Sequence, residues 1–165
     1  MVETIFSLSS LLVMPFWALM IFLPHWRWTR RILRSPLVIL PPALLYGALA
    51  LPRLAEVFPA VSSPTLSGIT TLLGMPAGAT IAWAHFLAFD LFVGRWIYLD
   101  GRARGISALL MAPVLFLTLM LGPLGFLLYL VLRGTTARSS GGRSTTEPPT
   151  KGGAGTQEVA RKGRQ

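Results

Sequence analysis

Three ionisable side chains that could carry chemistry, His85, Asp90 and Arg95, lie within one long apolar stretch, Ala77–Leu99. The stretch is long enough to cross a bilayer, because a spanning helix needs about 20 predominantly apolar residues. A charged side chain near the bilayer centre costs roughly 2.5–3.5 kcal/mol on insertion scales. We therefore expect these groups to serve either acid–base chemistry or a polar contact between helices.

Helical geometry separates the histidine from the aspartate. At about 100° per residue, Asp90 lies roughly 140° around the helix from His85, so the two do not form an i,i+4 pair. The stripe of His85 holds Phe89, Phe92, Trp96 and Leu99, and that of Asp90 holds Trp83, Phe86, Gly94 and Ile97. Each polar side chain is predicted to meet a neighbouring helix or a cavity. Gly94 would let another helix or a flat ligand approach closely.

The charges alone leave three interpretations open. In the first, Asp90 and His85 are an acid and a base that line an apolar pocket between helices. In the second, Asp90 pairs with Arg95 or another arginine and locks the bundle. In the third, Asp90 belongs to a proton or ion path, although a bundle of four helices with one central acid has few polar groups with which to form such a path. No metal site is predicted, because the chain lacks cysteine and the Glu-x-x-His spacing of di-iron bundles.

Composition identifies the class of protein. Of the 165 residues, 53% are hydrophobic and 13% are charged, whereas a soluble domain is about one quarter charged. Helices are expected in the apolar segments, because a helix satisfies its own backbone groups in hydrocarbon. The predicted spans are about Ile5–Leu23, Pro36–Leu51, Ala77–Leu99 and Ile106–Leu132. The sequence thus predicts an all-α integral membrane four-helix bundle over residues 1–133 and a disordered basic tail over residues 134–165.

Two shorter segments modify this bundle. The segment Pro64–Pro76 is apolar but too short to cross, which favours a short interfacial or re-entrant helix between spans two and three. In the fourth span, Gly122-Pro-Leu-Gly125 should kink or break the helix, because proline removes an amide donor and clashes with the preceding turn. Positive charge follows the first apolar run rather than preceding it, so we expect an uncleaved first helix and no transit peptide.

Basic residues follow the first span at helical spacing. Arg27, Arg30, Arg31 and Arg34 would share one face of a helix, and Trp26 and Trp28 flank them as interfacial anchors. We predict that these arginines contact the headgroups of membrane lipid. Because the basic residues lie mostly at membrane boundaries and in the tail, we expect no nucleic-acid partner.

The distribution of positive charge also predicts a topology. The loops that follow spans one and three are the arginine-rich ones, which places both in the cytoplasm and both termini outside. Arg133, which follows span four, argues against this orientation.

Around its charged residues the sequence resembles a known family. Ala82-Trp-Ala-His85, Asp90-Leu-Phe-Val-Gly-Arg95 and Tyr98-Leu-Asp100-Gly101 resemble motifs of the abscisic-acid-deficient membrane proteins linked to neoxanthin synthesis. Shorter blocks fit the same family: Pro15-Phe-Trp-Ala-Leu-Met20, Leu66-Ser-Gly-Ile69 and Gly122-Pro-Leu-Gly125. The similarity covers about residues 10–132. By this resemblance the expected catalytic positions are His85, Asp90, Arg95 and Asp100.

The resemblance implies a reaction. In plants such proteins are needed to convert violaxanthin into neoxanthin, an isomerisation that opens an epoxide and creates an allene. Asp90 would protonate the ring oxygen, His85 would take a vinylic proton, and Arg95 would position one of them, without a cofactor. The alternative is a non-catalytic accessory protein that binds a carotenoid or lipid and assists a separate enzyme.

The expected setting is the plasma membrane of a bacterium, because no transit peptide is evident and a basic tail is present. The expected ligand is a carotenoid or another isoprenoid. The glycine-lined helix faces would also suit a homodimer.

Overall fold

A computed structural model describes residues 2–141, and every regular element within them is helical. The elements are α1 (Val2–Phe22), α2 (Arg27–Arg34), α3 (Leu40–Ala50), α4 (Leu54–Ser62), α5 (Leu66–Gly74), α6 (Pro76–Ala103) and α7 (Ala108–Gly141). Two 3-10 turns, Pro36–Ile39 and Leu51–Arg53, flank α3. The predicted all-α class is confirmed.

Four helical segments are long and apolar enough to cross a bilayer, namely Val2–Phe22, Pro36–Ser62, Pro76–Ala103 and Ala108–Thr135. The second is longer than the predicted Pro36–Leu51, because α4 continues it past the turn Leu51–Arg53. Proline is tolerated in the first turn of a helix, where its missing amide would have no partner. Arg53 pairs with Glu56 one turn later, at 3.6 Å. The predicted end of the span at Leu51 is therefore only a change of helix type.

The apolar segment between spans two and three forms α5. Its first turn is capped by Thr65, whose hydroxyl accepts a hydrogen bond from the Gly68 amide at 3.1 Å. The following helix begins with Pro76 immediately after this short element, and α5 packs against it. The predicted helix is therefore present, and its place at the membrane interface stays a prediction.

The last helix reverses direction at Leu121 and Gly122, whose backbone angles are not helical. Met111, which precedes the break, packs on the end of α6, since a Cβ added to Gly101 would lie 2.7 Å from Met111 Cε. After the break, Arg133 Nε lies 3.4 Å from Asp100 Oδ2 at the same end. A straight helix would separate Met111 from Arg133 by roughly 33 Å. We conclude that α7 is a hairpin of two half-helices, residues 108–120 and 123–141.

Gly125 permits close packing of the two half-helices. A Cβ at this position would lie 2.3 Å from the backbone nitrogen of Thr118 in the first half-helix. Tyr129 of the second half-helix donates a hydrogen bond to Asp100 and packs edge-on against Trp96 at 5.6 Å. The returning half-helix is thus held both to the first half-helix and to α6.

This reversal corrects the predicted topology. Residues near the start of α1 contact the first half of α6, as the stacking of Phe6 on Trp83 shows. The second half-helix of α7, in contrast, returns to the other end of the bundle, beside Asp100. The described chain therefore begins and ends at opposite ends of the bundle, and for residues 2–141 this contradicts the predicted placement of both ends of the chain on one side. Apolar composition alone does not distinguish a crossing from a fold-back.

The predicted boundary between domain and tail lies at residues 133 and 134. Helix α7 continues past it to Gly141. The remainder of the predicted tail, residues 142–165, lies outside the described residues, so its disorder stays a prediction.

Candidate functional site

A cleft of about 560 Å³ lies beneath the tip of the α7 hairpin. This volume is within the range of small-molecule sites, roughly 300–1,000 Å³. Its walls come from α1 (Ser10, Met14), α6 (Trp83, His85, Phe86, Leu87, Phe89, Asp90, Val93) and α7 (Leu119, Met120, Leu121, Gly122, Pro123, Phe126). The fourth apolar segment turns back beside Asp90, so α7 does not cover the first half of α6, and the cleft lies at this point.

The cleft opens sideways through large apolar side chains. Phe86, Phe89 and Met120 are 55%, 58% and 53% exposed, respectively. In a bilayer such side chains face hydrocarbon, so a lipid-soluble molecule would enter from the membrane without crossing water. Within the wall, Trp83 Nε1 donates a hydrogen bond to Ser10 Oγ at 3.0 Å and joins α6 to α1.

Asp90 lies at the tip of the hairpin. A Cβ added to Gly122 would be only 2.3 Å from Asp90 Oδ1. The absence of a side chain at Gly122 therefore leaves room for the Asp90 carboxyl group. The second half-helix begins just beyond, and the first amides of a helix are unpaired and carry partial positive charge. Within residues 2–141, Asp90 forms neither an ion pair nor a hydrogen bond. Its carboxyl group is therefore available to a ligand in the cleft.

Arg95 does not pair with Asp90. Its Nε and Nη2 donate hydrogen bonds to the carbonyl oxygens of Leu33 and Arg34, at 2.7 and 2.8 Å. These are carbonyls at the C-terminal end of α2, where a cation is favourable. Arg95 therefore joins α2 to α6, and the predicted Asp90–Arg95 clasp is not formed.

The clasp between helices is centred on Asp100 instead. Its carboxylate accepts hydrogen bonds from Tyr129 and from Arg104 Nε, the latter at 2.8 Å, and it also lies near Arg133. Asp100 lies outside the cleft lining, whereas Asp90 and His85 both belong to it. Of the four predicted catalytic residues, the structure thus brings only His85 and Asp90 to one cavity.

His85 is held by aromatic contacts. Its ring stacks on Phe89 with centroids 4.8 Å apart and meets Tyr46 of α3 edge-on at 5.3 Å. It lines the main cleft and two smaller cavities, of about 320 and 360 Å³, which also share Tyr46. As predicted, His85 meets a neighbouring helix, and it stands where three cavities adjoin.

The arginine-rich segment forms α2, and Arg27, Arg30, Arg31 and Arg34 are all exposed on it. The guanidinium groups of Arg27 and Arg31 lie 5.8 and 5.4 Å from the ring centre of Trp28. The opposite side of α2 is buried through Thr29 and Leu33. The helical spacing inferred from the sequence is correct, while binding of lipid headgroups stays a prediction.

Sequence reasoning missed the contributions of α1 and of the hairpin tip to the site. Ser10 and Met14 belong to an apolar run in which no residue stands out. The motif Gly122-Pro-Leu-Gly125 was a usable signal, since a break at mid-membrane exposes backbone groups near a buried acid. Gly94 behaves as predicted: a Cβ there would lie 2.3 Å from the Trp17 ring of α1.

Comparisons with known proteins identify the family of this chain. Residues 4–129 match the family model described as ABA DEFICIENT 4-like. The chain is also 31% identical over 111 residues to the Arabidopsis thaliana protein ABA DEFICIENT 4, chloroplastic, an alignment that covers 64% of this chain. It spans 50% of the length of that relative. No solved structure matches. The family match includes the charged third span and the hairpin tip, and the chain belongs to the ABA DEFICIENT 4-like family.

Proposed function

We propose that this protein is a membrane-embedded isomerase of an epoxide-bearing carotenoid, with Asp90 as the acid and His85 as the base. One observation supports it most: a carboxyl group without a partner among the described residues lies at the head of an apolar, laterally open cleft that it shares with a histidine. A membrane protein rarely keeps an acid at this depth without a use for it.

The proposed reaction balances without an oxidant or a reductant. Asp90 donates a proton to the epoxide oxygen as the ring C–O bond breaks. A vinylic C–H bond then yields its proton to His85, and its electron pair completes the cumulated double bonds of the allene. One proton is added and one is removed, so the product is an isomer of the substrate.

The spacing of the two groups suits such a substrate. Asp90 and His85 both line the cleft. They are separated by a rise of about 7.5 Å along α6 and by roughly 140° around it, so a substrate that contacts both must follow the wall formed by α6. A rod-shaped polyene longer than the main cleft would continue past His85 into the adjoining cavities. The aromatic and aliphatic lining favours a hydrocarbon chain.

Turnover by the purified chain alone tests this proposal. We expect the protein in mild detergent to convert violaxanthin into an allenic isomer, detected by chromatography and absorption spectroscopy. If the pigment binds but is converted only after another protein is added, the chain is a non-catalytic accessory protein and the isomerase proposal fails. We further propose the plasma membrane of a bacterium as the site of action.

A further inference from the structure

We propose that one end of the bundle is a docking surface for an anionic phospholipid leaflet, and that the α7 hairpin brings its returning half-helix, which ends at Gly141, to that same leaflet. The surface consists of the exposed arginines of α2, the end of α6 and the returning half-helix of α7. This surface is independent of the reaction proposed above, because it contains none of the cleft residues.

Three contacts bring these elements to the same end. Tyr98 near the end of α6 donates a hydrogen bond to the Pro24 carbonyl at 2.8 Å, just before α2. Arg95 secures the end of α2, as described above. Asp100 contacts Arg133, which would lie at the opposite end if α7 were straight. The basic residues gathered in this way are Arg27, Arg30, Arg31, Arg34, Arg102, Arg104 and Arg133.

Within residues 2–141, the acidic residues other than Asp100 lie away from this surface. Among the described residues, Asp100 is the acid at the basic end, and it lies between Arg104 and Arg133. Glu3 lies in the first turn of α1, toward the other end, and Glu56 lies past the midpoint of the second span, paired with Arg53. The bundle therefore carries a strong charge asymmetry along its axis.

The chemistry of this end fits a phospholipid surface. Trp26 and Trp28 are 48% and 43% exposed, and indole rings favour the headgroup level of a bilayer. Guanidinium groups bind phosphate oxygens through paired hydrogen bonds. Anionic lipid of the cytoplasmic leaflet attracts basic residues that lie at its surface. We therefore assign the basic end to the cytoplasm and the start of α1 to the opposite side.

The orientation is testable because the chain has no cysteine. Single-cysteine variants of the full chain at four exposed positions, Glu3→Cys, Ser63→Cys, Ser107→Cys and Thr135→Cys, would be treated in intact bacterial cells with a membrane-impermeant maleimide. We expect the first two to be labelled in intact cells and the last two only after permeabilisation. Labelling of Thr135→Cys together with Glu3→Cys would overturn the fold-back, and labelling of Ser107→Cys in intact cells would overturn the orientation.

Lipid docking has a separate test. The purified chain would be placed in nanodiscs of phosphatidylcholine, alone or mixed with phosphatidylglycerol, and its thermal unfolding midpoint measured. We expect a higher midpoint in the anionic discs, and loss of that difference when all four α2 arginines are changed to glutamine. Arg53→Gln, at the other end, should keep the difference. Equal midpoints of the unmodified chain in both lipids would overturn the docking surface.

Discussion

Gly125→Ala is expected to destabilise the protein strongly by forcing apart the two half-helices of α7. The new Cβ would lie 2.3 Å from the backbone nitrogen and 2.4 Å from the Cα of Thr118. These are backbone atoms, which cannot rotate away as a side chain would, and Thr118 is completely buried. Overpacking of a core costs typically 1–3 kcal/mol, and we expect the upper part of that range.

A matched control is available on the same half-helix. A Cβ at Gly134 would meet nothing within 4 Å, so Gly134→Ala should leave stability unchanged or raise it by up to about 1 kcal/mol, the difference in helix propensity. The measurement is the thermal unfolding midpoint of both variants in the same detergent. Similar midpoints for the two variants would show that the half-helices do not pack as described.

Asp90→Asn is expected to abolish turnover while leaving the fold intact. Asparagine has the same shape and fits beside Gly122, but it cannot supply the proton that opens the epoxide. Loss of a general acid typically lowers a rate by 10²- to 10⁴-fold, and we expect this fall in kcat for violaxanthin. The unfolding midpoint should be preserved, because Asp90 stabilises no neighbour by an ion pair in the described part of the chain.

Arg95→Gln tests whether Arg95 stabilises the fold without taking part in the reaction. Arg95 contacts backbone carbonyls of α2 and lies outside the cleft lining, so its loss should lower the unfolding midpoint and keep most of the turnover. His85→Gln should resemble Asp90→Asn, since it removes the proposed base. If Asp90→Asn and His85→Gln both keep full activity, the acid–base mechanism is wrong.

The sequence was sufficient for the class of fold and for singling out two residues, His85 and Asp90, that line the cleft. An acid and a histidine stand out in an apolar segment because each is costly there. The predicted pair of Arg95 with Asp90 was wrong, because it was inferred from their proximity along the chain. Its true partners are carbonyls at the end of α2, more than sixty residues earlier. Because every residue has a backbone carbonyl, the sequence does not indicate which ones accept a hydrogen bond.

The hairpin was beyond sequence reasoning for a related reason. Pro123 predicts a break, but not the direction in which the chain leaves it. That direction depends on the packing of Gly125 on Thr118 and on the contacts of Tyr129 and Arg133 with Asp100. The sequence does not indicate that these residues contact one another, and only their contacts distinguish a fold-back from a crossing.

The central claim is that an isoprenoid occupies the cleft beneath the hairpin, and bound pigment tests it most directly. Met120 and Leu110 lie on the same half-helix and are each 53% exposed, but only Met120 lines the cleft. The unmodified chain, Met120→Trp and Leu110→Trp would be purified from a carotenoid-producing bacterium, and their absorption spectra and extracted small molecules compared. We predict about one equivalent of polyene in the unmodified chain and in Leu110→Trp, and little in Met120→Trp. Equal pigment in all three, or phospholipid alone, would contradict the account.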